Sequence, residues 1–257
     1  MGLDKNLLTA RLEAAQRVAD AAAAIIRPLF KSDSLQVDYK EAVSPIVTQA
    51  DRDSEAAMRL IIEAEFPEDT IIGEEHGVKE GTSGFAWILD PIDGTIAFTV
   101  GKPVFGTLIG LACQGEFELG IIDQAVLGER FLGLRDQGSS LNGEVLSTSG
   151  RTELNRAKLA FTSPLKDPGI ERIIEAVHVT SYGGDCYNYA LLASGYLDIV
   201  IERGLNLYDY AALVPVVEGA GGVITDWQGR SLSQGGGSDV IACATRALHD
   251  QVLSMLT

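Results

Sequence analysis

At 257 residues the chain can bury a substantial core, and 46% hydrophobic residues with no low-complexity tract exclude a disordered protein. Asp and Glu total 36 against 20 Lys and Arg, a formal net charge of −16 that repels nucleic-acid phosphates and argues against a nucleic-acid partner. The same field opposes a phosphorylated substrate, so an enzyme acting on one needs local cations, which divalent metals supply.

In chain order, the apolar residues Leu7, Leu12, Ala15, Val18, Ala22, Ile25 and Leu29 recur at three- and four-residue steps and predict an amphipathic helix that frays near Pro28 and Phe30. Leu35, Val37 and Tyr39 alternate as in a strand, and residues 51–66 return to helical spacing before Pro67 stops them. Strand character follows at 70–72, 85–89, 104–113, 117–122 and 130–134, with Asn142-Gly143 as a turn signal. Successive strands without helices between them predict a mainly antiparallel sheet flanked by the N-terminal helices.

Beyond Arg151 the rhythm changes to alternation: strand 159–161, helix 170–176, strand 178–181, helix 186–193, strand 197–202. A helix beginning at Asp209 and ending near Gly219, strands 223–225 and 240–244, and a terminal helix from Arg246 complete an α/β half. A soft boundary falls near residue 150, dividing an N-terminal α+β half (1–150) from a C-terminal α/β half (151–257). No linker-like stretch separates them, so a large shared interface is expected. The first thirty residues are too charged for a signal peptide, and no run is long and apolar enough to span a membrane, so a cytoplasmic protein is expected. Cys113, Cys186 and Cys243, odd in number and far apart, read as reduced thiols rather than a disulfide framework.

The densest chemistry is in residues 87–95, where an apolar strand runs straight into Asp90-Pro91-Ile92-Asp93-Gly94-Thr95. Pro91 fixes a dihedral and removes a donor, while Gly94 permits a bend and a close backbone approach to a ligand. Two carboxylates three residues apart across that bend can converge on a hard cation. Thr95 can open a helix whose N–H groups face a phosphate. A plain β-turn at Asp93-Gly94 is the competing reading. Gly73-Glu74-Glu75-His76-Gly77 sets two further acids in a glycine-bounded loop, which a solvated acidic turn explains equally well. Asp209 stands at a predicted helix start, where an N-cap is the simpler role. His76, His178 and His249 form no ligand pattern, and Gly235-Gly236-Gly237 lacks the Lys-Ser/Thr of a P-loop and reads as a flexible turn.

Taken together, Gly73-Glu74-Glu75, Asp90-Pro91-Ile92-Asp93-Gly94-Thr95, and Asp209-Tyr210-Ala211-Ala212 with Gly219-Ala220-Gly221-Gly222 resemble the ordered motifs of the inositol-monophosphatase superfamily. Lys40, Thr48 and Asp51 resemble that family's early lysine and Val-Thr-x-x-Asp segment, so the resemblance spans nearly the whole chain. It implies a layered α-β-α-β-α sandwich, a homodimer, and a lithium-sensitive phosphatase of small phosphate monoesters with two or three Mg2+ ions. Carried onto these positions, Glu74, Asp90 and the Ile92 carbonyl would hold one ion, and Asp90, Asp93 and Asp209 a second. Asp51 and Thr95 would orient and deprotonate the attacking water, with Glu74 counted in the catalytic set and Glu75 further out. The substrate would meet Asp93, Gly94, Thr95, Asp185, Glu202 and Asp209.

Within the superfamily, Gly183-Gly184-Asp185-Cys186-Tyr187, residues 102–109 and Tyr208-Asp209-Tyr210 look like the histidinol-phosphatase branch, whereas Ile96 departs from both branches. The implied substrate is L-histidinol phosphate, whose ammonium Asp185 and Glu202 can pair with. Asp185 as a helix N-cap, inositol 1-phosphate as substrate, a haloacid-dehalogenase-type aspartyl phosphatase, and an inactive metal-binding module stand as alternatives.

Overall fold

The computed structural model describes residues 5–39, 46–233 and 236–256; Lys40 and Gly235, singled out above, lie outside them. The long helix α1 (Lys5–Leu29) carries Pro28 in its last turn, and β1 (Val37–Tyr39) and β2 (Ile46–Thr48) pair as a small antiparallel ribbon before α2 (Gln49–Glu65). Strands β3 (Thr70–Gly73), β4 (Gly77–Lys79), β5 (Phe85–Asp93), β6 (Gly106–Cys113), β7 (Glu116–Gln124), β8 (Glu129–Leu134), β9 (Gly138–Leu141) and β10 (Glu144–Val145) follow, with the short helix α3 (Thr95–Thr99) after β5. The remainder comprises β11 (Lys158–Phe161), α4 (Pro168–Ala176), β12 (Val179–Tyr182), α5 (Asp185–Ala193), β13 (Ile199–Glu202), α6 (Leu207–Tyr210), α7 (Leu213–Gly219), β14 (Val223–Asp226), β15 (Val240–Cys243) and α8 (Arg246–Leu256).

The first eight-stranded sheet has the order β10-β9-β8-β7-β6-β5-β3-β4, and the second, five-stranded, the order β12-β11-β13-β15-β14. As expected, the first sheet is antiparallel except where β3 runs parallel to β5. The second mixes parallel β12-β11-β13 with antiparallel β13-β15-β14. Helices α1 and α2 cover one face of the first sheet, α5 and α7 lie between the sheets, and α4 with α8 closes the outer face of the second. The result is the α-β-α-β-α sandwich. Three apolar cores fill the gaps between layers, and the middle one joins Ile88, Leu108 and Ile122 of the first sheet to Tyr189, Val216 and Val240 of the second half. Asn142 and Gly143, both left-handed at φ 50° and 89°, make the two-residue turn between β9 and β10.

Two expectations are corrected. Strand β5 does not stop at Leu89 but continues through Asp93, with its pairing to β6 shifted between Asp90 and Asp93. Pro91 has no N–H to give the ladder, so the strand bulges there, and Thr107 Oγ1 donates to the Pro91 carbonyl at 2.8 Å. The helix expected from Asp209 instead starts at Leu207 with Asn206 as N-cap, and breaks between Tyr210 and Leu213. Asp209 is the third residue of that turn, its Oδ2 accepting the Asn206 N–H at 2.6 Å in a capping box. Pro215 then removes the donor that would have bonded back to the Ala211 carbonyl, so α6 and α7 are separate.

The broken α6-α7 segment lies directly on the first sheet because a row of glycines leaves it room. Gly110 pairs with Gly120 and Gly120 with Gly133 across β6, β7 and β8. A Cβ on Gly120 would sit 1.9 Å from the Ala212 carbonyl oxygen, and one on Gly133 2.3 Å from Pro215 backbone atoms. Backbone thus meets backbone, which brings Asp209 down to the end of β5.

Candidate active site

The bulged end of β5, the loop after β3, the start of α5, the end of β13 and helix α6 enclose a cleft of about 430 Å³. Glu74, Asp90, Ile92, Asp93, Gly94, Thr95, Asp185, Glu202 and Asp209 all line it, so residues spread over more than a hundred positions converge on one cleft. Asp51 stands behind it at the start of α2.

Carboxylate oxygens of Asp90, Asp93 and Asp209 lie within 4.8 Å of one another. Asp90 is buried and its Oδ1 accepts the Ile92 N–H at 3.0 Å, which turns the chain after Pro91. Burial first, then the charges of Glu74 and Asp93, push Asp90 well above the usual carboxylate range. Asp93 is pushed up likewise by desolvation and by Asp185 and Asp209, against a hydrogen bond from the Cys186 thiol, and its Oδ2 also accepts the Cys186 N–H at 2.6 Å. Burial raises Asp209 too, opposed by the Asn206 donors. Oxygen-only donors crowded at like charge suit a hard divalent cation, which stabilises all of them in the ionised form.

Asp51 is the third residue of α2 and closes the capping box that Thr48 opens. The Thr48 N–H and hydroxyl both donate to its Oδ2, at 2.8 and 2.5 Å, leaving Oδ1 at 3.4 Å from the Thr95 hydroxyl. That hydroxyl also reaches the Ile92 carbonyl at 3.1 Å. Burial raises Asp51 to about 6 despite the Thr48 donors. Gly94 is left-handed at φ 90°, and a Cβ on it would lie 2.9 Å from Asp185 Oδ2.

Asp185 therefore packs on Gly94 and is not the N-cap of α5; Gly184 occupies that position. Gly183, Gly184 and Asp185 are successively left-handed at φ 84°, 126° and 44°, the turn that aims both Asp185 and the Cys186 N–H at β5. Desolvation raises Asp185 to about 6, with Lys102 acting in the opposite direction. Glu202 is buried at the end of β13 and rises to about 7 through burial, although the Thr162 hydroxyl donates to its Oε1.

Sequence reasoning missed Thr162, Asn206 and Leu165, all lining the cleft. None carries a motif, and only the β11-β13 pairing brings Thr162 beside Glu202. His76 turns its ring toward the Arg52 carbonyl at 3.0 Å, His178 is exposed, and His249 is buried against Thr225. Cys113, Cys186 and Cys243 are free thiols. Among the described residues no helix is long and apolar enough to cross a membrane.

The model of the inositol monophosphatase family matches residues 7–257. The chain belongs to this family. It is 46% identical over 253 residues to the chloroplastic bifunctional phosphatase IMPL2 of Arabidopsis thaliana, across 93% of this chain and 72% of that protein. It is 35% identical over 229 residues to a histidinol-phosphatase of Chlorobaculum parvum, across 87% of this chain and 88% of that one. Among solved structures, an inositol monophosphatase from Zymomonas mobilis superposes with a TM-score of 0.86 at 46% identity, covering 96% of this chain and 98% of that chain. The chain is thus a phosphatase of a metal-dependent family, and the clustered acids of its cleft fit that chemistry.

Proposed function

We propose that the protein is a Mg2+-dependent phosphatase that hydrolyses L-histidinol phosphate to L-histidinol and phosphate. The observation that carries the substrate assignment is the excess of acid. Asp185 and Glu202 add two carboxyl groups to a cleft that already holds Glu74, Asp90, Asp93 and Asp209. Arg203, which also lines it, is engaged by Asp167 and Asp239 at 3.3 Å each and lies over the Trp227 ring. Such a wall suits a substrate that brings its own ammonium, where neutral inositol offers only hydroxyls. Histidinol-phosphatases among the relatives, at 35% and 37% identity, support the same reading.

In this reading Glu74, Asp90 and the Ile92 carbonyl hold one Mg2+, and Asp90, Asp93 and Asp209 hold another. Bound there, Mg2+ neutralises phosphate charge, activates water and stabilises the leaving oxygen. Thr95 and Asp51 hold the attacking water, and Asp51, at about 6, is ionised at neutral pH and can take its proton. Backbone N–H groups of Gly94 and Thr95 face the phosphate. Asp185, lying on Gly94, and Glu202 across the cleft receive the ammonium.

Inositol 1-phosphate is the second reading, favoured by the 46% identity to the Zymomonas mobilis inositol monophosphatase. Phosphate release from histidinol phosphate, inositol 1-phosphate, fructose 1,6-bisphosphate and 3′-phosphoadenosine 5′-phosphate, by wild type and Asp185→Ala, separates them. Histidinol phosphate should have the highest kcat/KM, and Asp185→Ala should lower it by about tenfold or more, the loss of one charge-assisted contact. A higher kcat/KM on inositol 1-phosphate, or an unchanged ranking in Asp185→Ala, refutes the assignment.

A further inference from the structure

Of the buried acids that lie outside the cleft and take no part in the chemistry above, Glu55 is the one that reaches the loop carrying Glu74. Glu55 sits one turn after Asp51 on α2 with no exposed surface. A carboxylate so placed destabilises the fold unless it is fully paired, and this one is. Its Oε2 accepts the Glu75 N–H at 2.7 Å, and its Oε1 accepts the His76 N–H at 3.1 Å and Arg59 Nε at 2.7 Å. Arg59 reaches on to donate to the Gly77 carbonyl. The carboxylate lies so close over Gly73 that a Cβ there would be 1.9 Å from Oε1, which accounts for the glycine that precedes Glu74.

The turn does not need this clamp in order to close. Gly73 already pairs with Gly77 across β3 and β4, and Gly77 at φ 69° completes a three-residue hairpin loop. The clamp adds orientation. With the N–H groups of Glu75 and His76 drawn toward α2, and the Glu74 N–H bonded to the Leu89 carbonyl at 3.2 Å, the Glu74 side chain is left lining the cleft beside Asp90. We infer that Glu55 is a positioning residue whose carboxylate, bridging the Glu75 and His76 amides, sets Glu74 against the cation cluster and so tunes divalent-cation affinity. This rests on the reading of Glu74 as a Mg2+ ligand. Helix α2 then serves the site twice, carrying Asp51 at its first turn and Glu55 at its second.

The test is calorimetric titration of Mg2+ into metal-free wild type, Glu55→Gln, Glu74→Gln and the double variant, with circular dichroism to establish folding and phosphate release to follow Mg2+ activation. Loss of a group that orients a ligand should weaken Mg2+ binding by about tenfold in Glu55→Gln and raise the Mg2+ needed for half-activation in parallel, with kcat at saturating Mg2+ within about threefold of wild type. In the Glu74→Gln background the same change should alter Mg2+ binding by less than about twofold, because the two act through one contact. A purely structural Glu55 lowers the unfolding midpoint and leaves Mg2+ affinity untouched. If Glu55→Gln does not fold, Glu55→Asp keeps the charge but its shorter side chain draws back from the two amides, and the same weakening is expected. Wild-type Mg2+ affinity in a folded Glu55 variant, or additive effects in the double variant, overturns the positioning role while Glu74 remains a ligand. Wild-type affinity in Glu74→Gln overturns the ligand reading and this inference with it.

Discussion

Replacing Glu202 with Gln should make the metal-free protein more stable, by roughly three times as much at pH 8 as at pH 5. Burial raises this carboxyl from its ordinary 4.5 to about 7, outweighing the Thr162 hydroxyl that donates to it, and Asp185 and Asp209 push the same way. The folded state therefore holds the proton more tightly than the unfolded chain. Stability from this group is complete below the unfolded value near 4.5 and is lost as pH rises through about 7. By linkage that loss amounts to about 3 kcal/mol at pH 8 and about 1 kcal/mol at pH 5. Glutamine keeps an acceptor for Thr162, turns its amide toward the Tyr189 hydroxyl 3.5 Å from Oε2, and carries no charge to desolvate. Thermal unfolding in EDTA at both pH values measures the effect, and 3 kcal/mol corresponds to a rise of roughly 5 to 10 °C in a chain of this size. A variant less stable than wild type at pH 8, or displaced equally at both pH values, refutes the reasoning. The same variant should lose activity on an ammonium-bearing substrate.

Asp93→Asn should lower kcat/KM by at least about a hundredfold, roughly 3 kcal/mol of transition-state stabilisation, without lowering metal-free stability, because it removes repulsion from Asp185 and Asp209. Near-normal phosphate release by the purified variant contradicts this. Chelation should abolish activity and added Mg2+ restore it; full turnover in protein stripped of metal, checked by elemental analysis, sinks the mechanism. Gly94→Ala should destabilise by about 2 to 4 kcal/mol, since the left-handed backbone strains any side chain and the new Cβ meets Asp185 Oδ2 at 2.9 Å. Urea unfolding with an unchanged midpoint shows that this contact yields freely.

Much of the cleft was legible because its chemistry is local. Asp90, Pro91, Ile92, Asp93, Gly94 and Thr95 form a strand end, a bulge and a turn within six residues, so spacing alone brought their groups together. The capping box of Thr48 and Asp51 is equally local, whereas Glu55 gave no signal, because its partners Glu75 and His76 lie 20 and 21 positions away. An N-cap role, the alternative weighed for Asp185, is a sound local guess. Three successive left-handed residues, which no spacing rule anticipates, turn Asp185 onto Gly94 instead.

Periodicity by itself determined the long N-terminal helix, the antiparallel run of strands and the change to α/β alternation beyond residue 150, because side-chain direction repeats with the backbone geometry of each element. The motif order determined the family. Only the tertiary structure decided that β5 bulges rather than ends, that the helix near Asp209 is broken, and that Gly110, Gly120 and Gly133 form one row. Each depends on what packs against it. The missing Pro91 donor acts through pairing with β6, and the glycine row acts only once strand register aligns it beneath the α6-α7 backbone. That close approach brings the Asp209 carboxylate within 4.8 Å of Asp90 and Asp93, a distance set by packing between chain segments that no local rule relates.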